Sequence, residues 1–207
     1  MLTQVTSTAV WLALCLCLTV FTHDARGQAG VTEQLRSFQA ERNSINHTAM
    51  LVLGSWAVGN IIVGTYGNFT ATGQAKYFHQ FNALWNVVNL GIAGFALISM
   101  GERDPSSMTG LQVLKDHTSY QSLLLLNAGL DVAYISFGLY LRERSKTSSS
   151  ADRLRGYGNS LLLQGGFLLA FDLVLYFVND HNAALQLYPF LEPVLTGSAG
   201  IGVRLQL

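Results

Sequence analysis

Charged side chains are scarce in this sequence. Asp, Glu, Lys and Arg make up 12% of the residues, whereas a soluble globular domain carries about 25%. The 12 basic and 12 acidic residues cancel, so the formal net charge is zero. No excess of either sign favours nucleic acid or an acidic substrate as a partner. Together with the 50% content of hydrophobic residues, this indicates a membrane protein.

Cysteine and catalytic signatures are also lacking. The only cysteines are Cys15 and Cys17, both inside an N-terminal apolar run. Removal of that run would leave no disulfide, thiolate metal site or cysteine nucleophile. No nucleophile elbow, phosphate-binding loop or zinc-protease signature occurs elsewhere. The sequence therefore favours a protein without enzymatic activity and predicts no cofactor and no metal.

The first feature that is present is the short apolar run AVWLALCLCLTVF, residues 9–21. Small residues at Ala25, Gly27 and Ala29 follow it, which is typical of signal peptide cleavage sites. We predict a signal peptide over residues 1–29. Since no Lys or Arg precedes the run, a retained first helix acting as a signal anchor is the alternative.

Four longer apolar segments follow, each about the 20 residues needed to cross a bilayer core of roughly 30 Å. They lie near Thr48–Tyr66, Ala83–Met100, Gln121–Leu141 and Gly158–Val178. The sequence thus predicts an all-α fold, an integral membrane four-helix bundle with a polar core over residues 48–180.

Polar or proline-containing stretches flank this domain. Residues 31–47 contain no proline or glycine, which predicts a polar juxtamembrane helix over residues 30–47. Pro189 and Pro193 argue against a fifth span in residues 181–207. We predict that this tail is interfacial or re-entrant.

The loop after the third segment sets the predicted orientation. It holds Arg142, Arg144, Lys146, Arg153 and Arg155, and loops rich in Lys and Arg stay in the cytoplasm. We therefore predict a multi-pass protein with loop 142–156 in the cytoplasm and the mature N- and C-termini outside.

One polar stripe runs along each segment, at about 100° per residue. In the second segment, His79, Asn82, Asn86 and Asn89 fall within roughly 80°. The other three segments contribute Asn60, Asn127, Asp131, Gln164 and Asp172. Since an unpaired polar group in hydrocarbon costs several kcal/mol, we expect the four stripes to meet at one polar axis.

The helical rise of about 1.5 Å per residue predicts the depth of these residues. Asn60, Asn89 and Gln164 each fall about 9 Å from the cytoplasmic edge. Asn127 and Asp172 each fall about 9 Å from the outer edge, with Asp131 near the middle. The spacing predicts two polar layers with an aspartate between them.

Asp131 and Asp172 are the only residues of charged type inside the four segments, and ionisable residues within a membrane are functional candidates by default. No basic residue of these segments can pair with them, so each tends to be neutral. They serve either as hydrogen-bond donors within the bundle or as a proton or cation site, with a ligand site as a third interpretation.

The amides and glycines have a structural interpretation as well. Asn and Gln hold membrane helices together at about 0.6–2 kcal/mol per hydrogen bond, and the other interpretation is a substrate or ion path. Small residues let helix backbones approach closely. The glycines expected to do so are Gly54, Gly59, Gly64, Gly91, Gly94, Gly129, Gly165 and Gly166.

Histidines divide between the two predicted surfaces. His47, His117 and His181 fall near the outer surface, where solvated side chains are expected and a metal or haem site is the alternative. His79 lies near the inner surface and continues the asparagine stripe. It is therefore the histidine that we favour for function.

Two stretches carry a resemblance to a known family. The runs LGSWAVGNIIVG and AKYFHQFNALWNVVNLGIAGF resemble a family of small bacterial membrane proteins of Bacteroidetes type that carry a domain of unknown function. The resemblance covers roughly residues 48–180, and its most specific string is Tyr77–Gly91. It implies a signal-like N-terminus, about four spans and a bacterial inner membrane, but no activity.

Two classes of function stay open. One is a non-enzymatic structural or assembly protein whose hydrogen-bonded polar core fixes helix packing. The other is a small transporter or channel-like module that relays protons, or binds a small cation or ligand, through His79, Asp131 and Asp172. The expected partners are the lipid bilayer and either a second copy of the chain or another membrane protein, and nucleic acid is not among them.

Overall fold

The computed structural model describes the backbone of residues 3–100 and 109–195. Side chains are described for residues 30, 32–100 and 109–191. Within this part of the chain the fold is all-α, as predicted. The helices are α1 (Thr3–Thr70), α2 (Gly73–Met100), α3 (Gly110–Arg144), α4 (Ala151–Gln186) and α5 (Tyr188–Leu195). The predicted signal peptide, residues 1–29, lies outside the residues whose side chains are described.

Local sequence explains where several of these helices begin and end. Thr109 caps α3, since its hydroxyl accepts from the backbone N–H of Gln112 at 3.3 Å while the Gln112 side chain accepts from Thr109 N at 2.8 Å. Arg142 and Arg144 lie in the last turn of α3, where positive charge favours the helix dipole. Gly73 has φ of 57° at the tight turn between α1 and α2, a conformation that glycine adopts without strain.

Four helices are long and apolar enough to cross a membrane, which agrees with the four predicted segments. The candidate spans are Thr32–Thr70, Gly73–Met100, Gly110–Thr147 and Ala151–Gln186. The polar residues 32–47 and the first apolar segment belong to the single uninterrupted helix α1. The predicted C-terminal tail includes the last turns of α4 and the short helix α5.

The bundle is built from two hairpins that meet along α4. Helix α1 packs on α2, α3 packs on α4, and α4 also contacts both α2 and α1, whereas α2 and α3 hardly touch. Polar side chains face the interior. Large apolar residues such as Ile62, Phe95, Leu126 and Val174 are more than half exposed. That arrangement suits a bundle whose surroundings are hydrocarbon.

Glycine allows the closest approaches between helices, but mostly at positions that the sequence did not indicate. A Cβ atom on Gly138 of α3 would lie 2.8 Å from the backbone oxygen of Gly158 on α4. Of the predicted glycines, Gly64 and Gly165 make such approaches. Nothing lies within 4 Å of the positions where Cβ atoms would stand on Gly59, Gly91, Gly94, Gly129 and Gly166. The unforeseen close approaches are at Gly67, Gly138, Gly156 and Gly158.

Two apolar clusters fill one half of the bundle, away from the loop 142–156. The first joins α1, α2, α3 and α4, through Met50, Leu53, Ala93, Leu124 and Leu175. The second lies further along and seats α5, through Leu35, Phe38, Val113, Ala183 and Leu187. We call this half of the molecule the α5 end and the half with loop 142–156 the arginine-loop end.

Candidate functional site

An amide cluster links three helices near the arginine-loop end. The side chain of Gln164 on α4 donates to the Oδ1 of Asn82 on α2. Asn82 Nδ2 donates to the Oδ1 of Asn60 on α1 at 2.8 Å, and Trp56 Nε1 donates to Gln164 Oε1 at 3.1 Å. Asn60 closes the cluster by donating to the backbone oxygen of Trp56 at 2.8 Å. Both ends of the Asn82 and Gln164 amides therefore bond to a neighbouring helix, and Asn60 accepts one of these bonds.

The predicted level of Asn89 is wrong. Asn82, not Asn89, lies level with Asn60 and Gln164, because it bonds to both. Asn89 stands two turns further along α2, about 10 Å away along the helix axis. The tight turn between α1 and α2 determines this register, since Asn60 and Asn82 lie equally far from it along the chain.

Asn86 and Asn89 continue the amides along α2 towards the middle of the bundle. Asn86 Nδ2 donates to the Asn82 backbone oxygen at 2.8 Å, and Asn89 Nδ2 donates to Asn86 Oδ1 at 3.3 Å. All three asparagines of α2 are buried. They therefore form a continuous row that begins in the amide cluster and ends at a cavity.

The cavity has a volume of about 390 Å³ and lies between α2 and α3, with α1 and α4 behind it. This size is within the range of small-molecule sites, roughly 300–1,000 Å³. Its walls are mainly apolar, with Val88 and Ile92 on α2 and Leu123 and Leu130 on α3. Its polar residues are Asn89, Asn127, Asp131, Asp172 and two tyrosines, Tyr120 and Tyr134.

Asp131 and Asp172 face one another in this cavity. Their carboxyls interact directly, and the Asn127 side chain lies within reach of Asp172. Both are deeply buried, with 3% of Asp131 and 7% of Asp172 exposed. The Oδ2 atom of Asp131 is buried without a hydrogen-bond partner. Among the described residues, no Lys, Arg or His lines the cavity.

The cavity is open on the side of the bundle where α2 and α3 diverge. Val88 and Leu123 line it from opposite helices and are also half or more exposed on the bundle surface. Towards the arginine-loop end the gap is closed by Trp85 and Tyr134, whose rings meet edge to face at 4.8 Å between centroids. The opening therefore lies in the wall of the bundle and is flanked by apolar side chains.

His79 lies apart from this cavity. Its ring packs against Gly67 of α1, where a Cβ atom would collide with it, and it meets Phe78 edge to face at 5.3 Å. Its Nδ1 atom is buried without a partner. His79 does not line the cavity. The structure therefore brings Asp131 and Asp172 together but not His79.

His117 is not a solvated histidine, which corrects the expectation for the outer group. It belongs to α3 and is buried, while His47 and His181 are exposed as expected. Its Nε2 lies 3.2 Å from the Tyr188 hydroxyl, which donates to Asp180 at 3.1 Å. Because the phenol proton is directed to Asp180, Nε2 donates to the phenol oxygen.

A partly buried arginine that the sequence did not indicate lies near this histidine. Arg42 lies on α1 with its Nε and Nη1 atoms buried, and its charge acts on His117 and Tyr120. Nearby, Asn179 of α4 donates to Asn46 of α1 at 3.1 Å. Arg42 and Asn46 precede the first apolar segment, so hydropathy gave no reason to place them in a core, whereas Asn179 continues the polar stripe of the fourth segment. The signal available was the uninterrupted helical pattern of residues 31–47.

The described residues contain no group of three His, Cys, Asp or Glu side chains that could hold a metal ion. The cavity offers two carboxyls, amides and phenols instead. Such groups can bind a cation or a hydrogen-bond donor, or pass a proton between carboxyls.

The fold and site define a class of protein, an all-α bundle with four candidate membrane-spanning helices and buried polar residues. The chain belongs to DUF6992, a family of unknown function, whose model matches residues 52–173. The match includes the string Tyr77–Gly91 and both aspartates. No curated protein and no solved structure matches the chain.

Proposed function

We propose that this chain is a multi-pass membrane protein that binds a small ligand with a positively charged head at Asp131 and Asp172. The observation that carries the proposal is the pair of buried carboxyls of Asp131 and Asp172, which contact each other in a cavity with no basic residue among the described residues that line it. The Oδ2 atom of Asp131 accepts no hydrogen bond from an N–H or hydroxyl group. A buried acceptor without a partner is costly. A cation or an N–H donor in the cavity would supply that partner.

The positions of the amide cluster and the two aspartates distinguish ligand binding from adhesion between helices. The amide cluster satisfies its own donors and acceptors and joins α1, α2 and α4. The two aspartates contribute none of those bonds, and they face open volume instead. Adhesion therefore explains Asn82, whereas the carboxyl pair, although it joins α3 to α4, also faces a cavity that adhesion does not require.

The membrane and its orientation are parts of the proposal. We place the four helices α1–α4 in a bacterial inner membrane of Bacteroidetes type, with loop 142–156 in the cytoplasm and the α5 end outside. The basic residues of that loop and the exposed apolar side chains of the bundle support this placement. A cleaved signal peptide before residue 30 is compatible with it.

A structural or assembly role is the second candidate, and the amide cluster favours it. Three polar side chains joined across three helices fix which faces meet, a use of buried polar groups that is known from other helical assemblies. In that case the bundle would serve as a platform for a second copy or another membrane protein, and the carboxyls would act only as hydrogen-bonding groups.

The test is binding of butylamine to the purified full chain in lipid nanodiscs, compared with Asp131→Asn and Asp172→Asn. Both changes keep size and hydrogen bonding but remove ionisation. We expect each to weaken binding by about tenfold or more, equivalent to about 1.4 kcal/mol. Asp152→Asn, at an exposed position, is the matched control and should bind as the wild type does. Equal binding by all four proteins, or none by the wild type, would leave the structural role.

A further inference from the structure

The proposed site has an unusual exit, and its walls specify the ligand further. Most ligand cavities open to water, but this one opens where α2 and α3 diverge in the side wall of the bundle. Val88 and Leu123 flank the opening, and both are apolar and half or more exposed. In a membrane this wall faces hydrocarbon, since the exposed residues that line the opening, Val88, Ile92, Leu123 and Leu130, are apolar.

We propose that the ligand is an amphipathic amine, with a single apolar chain, that enters the cavity sideways from the bilayer. This inference rests on the proposed function and adds the chemical class of the ligand and its route. The head would meet Asp131 and Asp172, while the chain would lie between Val88 and Leu123 and extend into the lipid.

The polar groups lie deeper in the cavity than the apolar ones, which supports a pose in which the amine head of the ligand is innermost. The polar side chains are on the inner side of the cavity, where Asp131 and Asp172 come from α3 and α4. The apolar side chains Val88, Ile92, Leu123 and Leu130 are at its exposed edge. A ligand that is polar at one end and apolar at the other matches this order, whereas a hydrated inorganic cation would leave the apolar walls without a partner.

The carboxyl pair also excludes other amphiphiles. An anionic head, such as a phosphate or a fatty acid carboxylate, would face two carboxyls with no basic residue lining the described cavity. Like charges at close range disfavour such a complex. A neutral alcohol could donate one hydrogen bond, but an ammonium offers three donors and the complementary charge.

The closed end of the cavity provides a reporter for the test. Trp85 lines the cavity and forms its floor together with Tyr134. Dodecylamine brominated in the middle of its chain, at the carbons that would pass between Val88 and Leu123, should quench Trp85, which lies one turn from Val88 and lines the same cavity. The signal from Trp85 is obtained by subtracting the signal of a Trp85→Phe variant. Brominated dodecanol, with the same chain and no charge, measures the contribution of simple partition into the lipid.

A variant with a narrower opening distinguishes entry of the ligand from the bilayer from entry of the ligand from water. In the variant Val88→Phe/Leu123→Phe, one larger side chain on each helix enters the gap. The control Val87→Phe/Leu125→Phe makes the same two substitutions at nearby residues that do not line the cavity. Val87 is adjacent to Val88, and Leu125 lies two residues after Leu123. Exposure is matched, at 60% against 56% for the valines and 50% for both leucines.

We expect the brominated amine to quench Trp85 at about a tenfold lower mole fraction than the brominated alcohol, a difference of about 1.4 kcal/mol. In Val88→Phe/Leu123→Phe, the amine and the alcohol should quench Trp85 at the same mole fraction, while butylamine still binds. The control Val87→Phe/Leu125→Phe should keep both the preference for the amine and the binding of butylamine. If the narrowed variant keeps the preference, or butylamine displaces the long amine at equal concentration, the amphipathic ligand is wrong and the small-cation site stands. If neither amine binds, both proposals fail.

Discussion

The Gln164 side chain on α4 donates to the Asn82 side chain on α2, and this bond ties the two hairpins of the bundle together. Asn82 in turn donates to Asn60 on α1, so one amide group connects three helices. Asn89, on the same face of α2, donates to Asn86 within its own helix. Two asparagines of one stripe therefore have different roles.

Asn82→Leu should destabilise the bundle more than Asn89→Leu. The first change removes bonds to α1 and α4 and leaves Gln164 without its acceptor, whereas the second removes one bond within α2. At about 0.6–2 kcal/mol per hydrogen bond in a membrane, we expect a loss of about 1–3 kcal/mol for Asn82→Leu and less than half of that for Asn89→Leu. Unfolding in mixed detergent and denaturant measures both. Equal losses would contradict the three-helix role of Asn82.

Gly138→Ala should separate α3 from α4. The added methyl group would lie 2.8 Å from the Gly158 backbone oxygen and 3.2 Å from Leu161 Cβ, and backbone cannot move aside as a flexible side chain can. We expect a loss of about 1–3 kcal/mol, the usual cost of overpacking. Gly129→Ala on the same helix is the control, because nothing lies within 4 Å of its Cβ position. Alanine there should gain up to about 1 kcal/mol from helix propensity.

Tyr188→Phe should loosen α5 without disturbing the four long helices. The phenol joins His117 of α3 and Asp180 of α4, so its loss leaves a buried His117 nitrogen unpaired. Hydrogen–deuterium exchange should rise over residues 188–195 and stay unchanged in α1–α4. Tyr140→Phe, at an exposed position on α3, should exchange as the wild type does. A rise spread over the whole bundle would show that Tyr188 does more than seat α5.

The same tyrosine gives a pH dependence with a defined sign. Burial raises the pKa of the Tyr188 phenol, and the hydrogen bond to Asp180 raises it further. A raised pKa in the folded state means that the contribution of the phenol is complete below about pH 10, its ordinary pKa. That contribution is lost as the pH rises through the folded pKa. The wild type should therefore show alkaline loosening of α5 that Tyr188→Phe lacks.

Helical periodicity was sufficient to predict the burial of most polar residues within the apolar segments. Asn82, Asn86, Asn89, Asp131 and Gln164 all face the interior, because a polar group in an apolar segment has few places to go. Periodicity was not sufficient to predict which residues of neighbouring helices lie at the same height in the bundle. The predicted second segment began at Ala83, whereas α2 begins at Gly73, and the turn before it pairs Asn60 with Asn82.

Close approaches between helices were harder to predict than burial. Glycine is useful where a neighbouring backbone lies opposite, and that depends on helix pairing rather than on the helix's own sequence. Gly138 of α3 faces Gly158 of α4, while Gly129, also on α3, has nothing within 4 Å of its Cβ position. The cavity could not be predicted from the sequence for the same reason. It exists because α2 and α3 diverge, and that divergence depends on how the helices pair.

The uninterrupted course of α1 has a mechanical consequence. Residues Thr32–Thr70 comprise 39 residues of helix, which at about 1.5 Å per residue is roughly twice the thickness of a bilayer core. In the proposed membrane placement, the portion beyond the hydrocarbon carries Phe38, Arg42 and Asn46, and it belongs to the same helix as Trp56 and Asn60 of the amide cluster. In that placement, a rotation of the end that carries Arg42 would turn the part that carries the amide cluster as well, because one helix connects them.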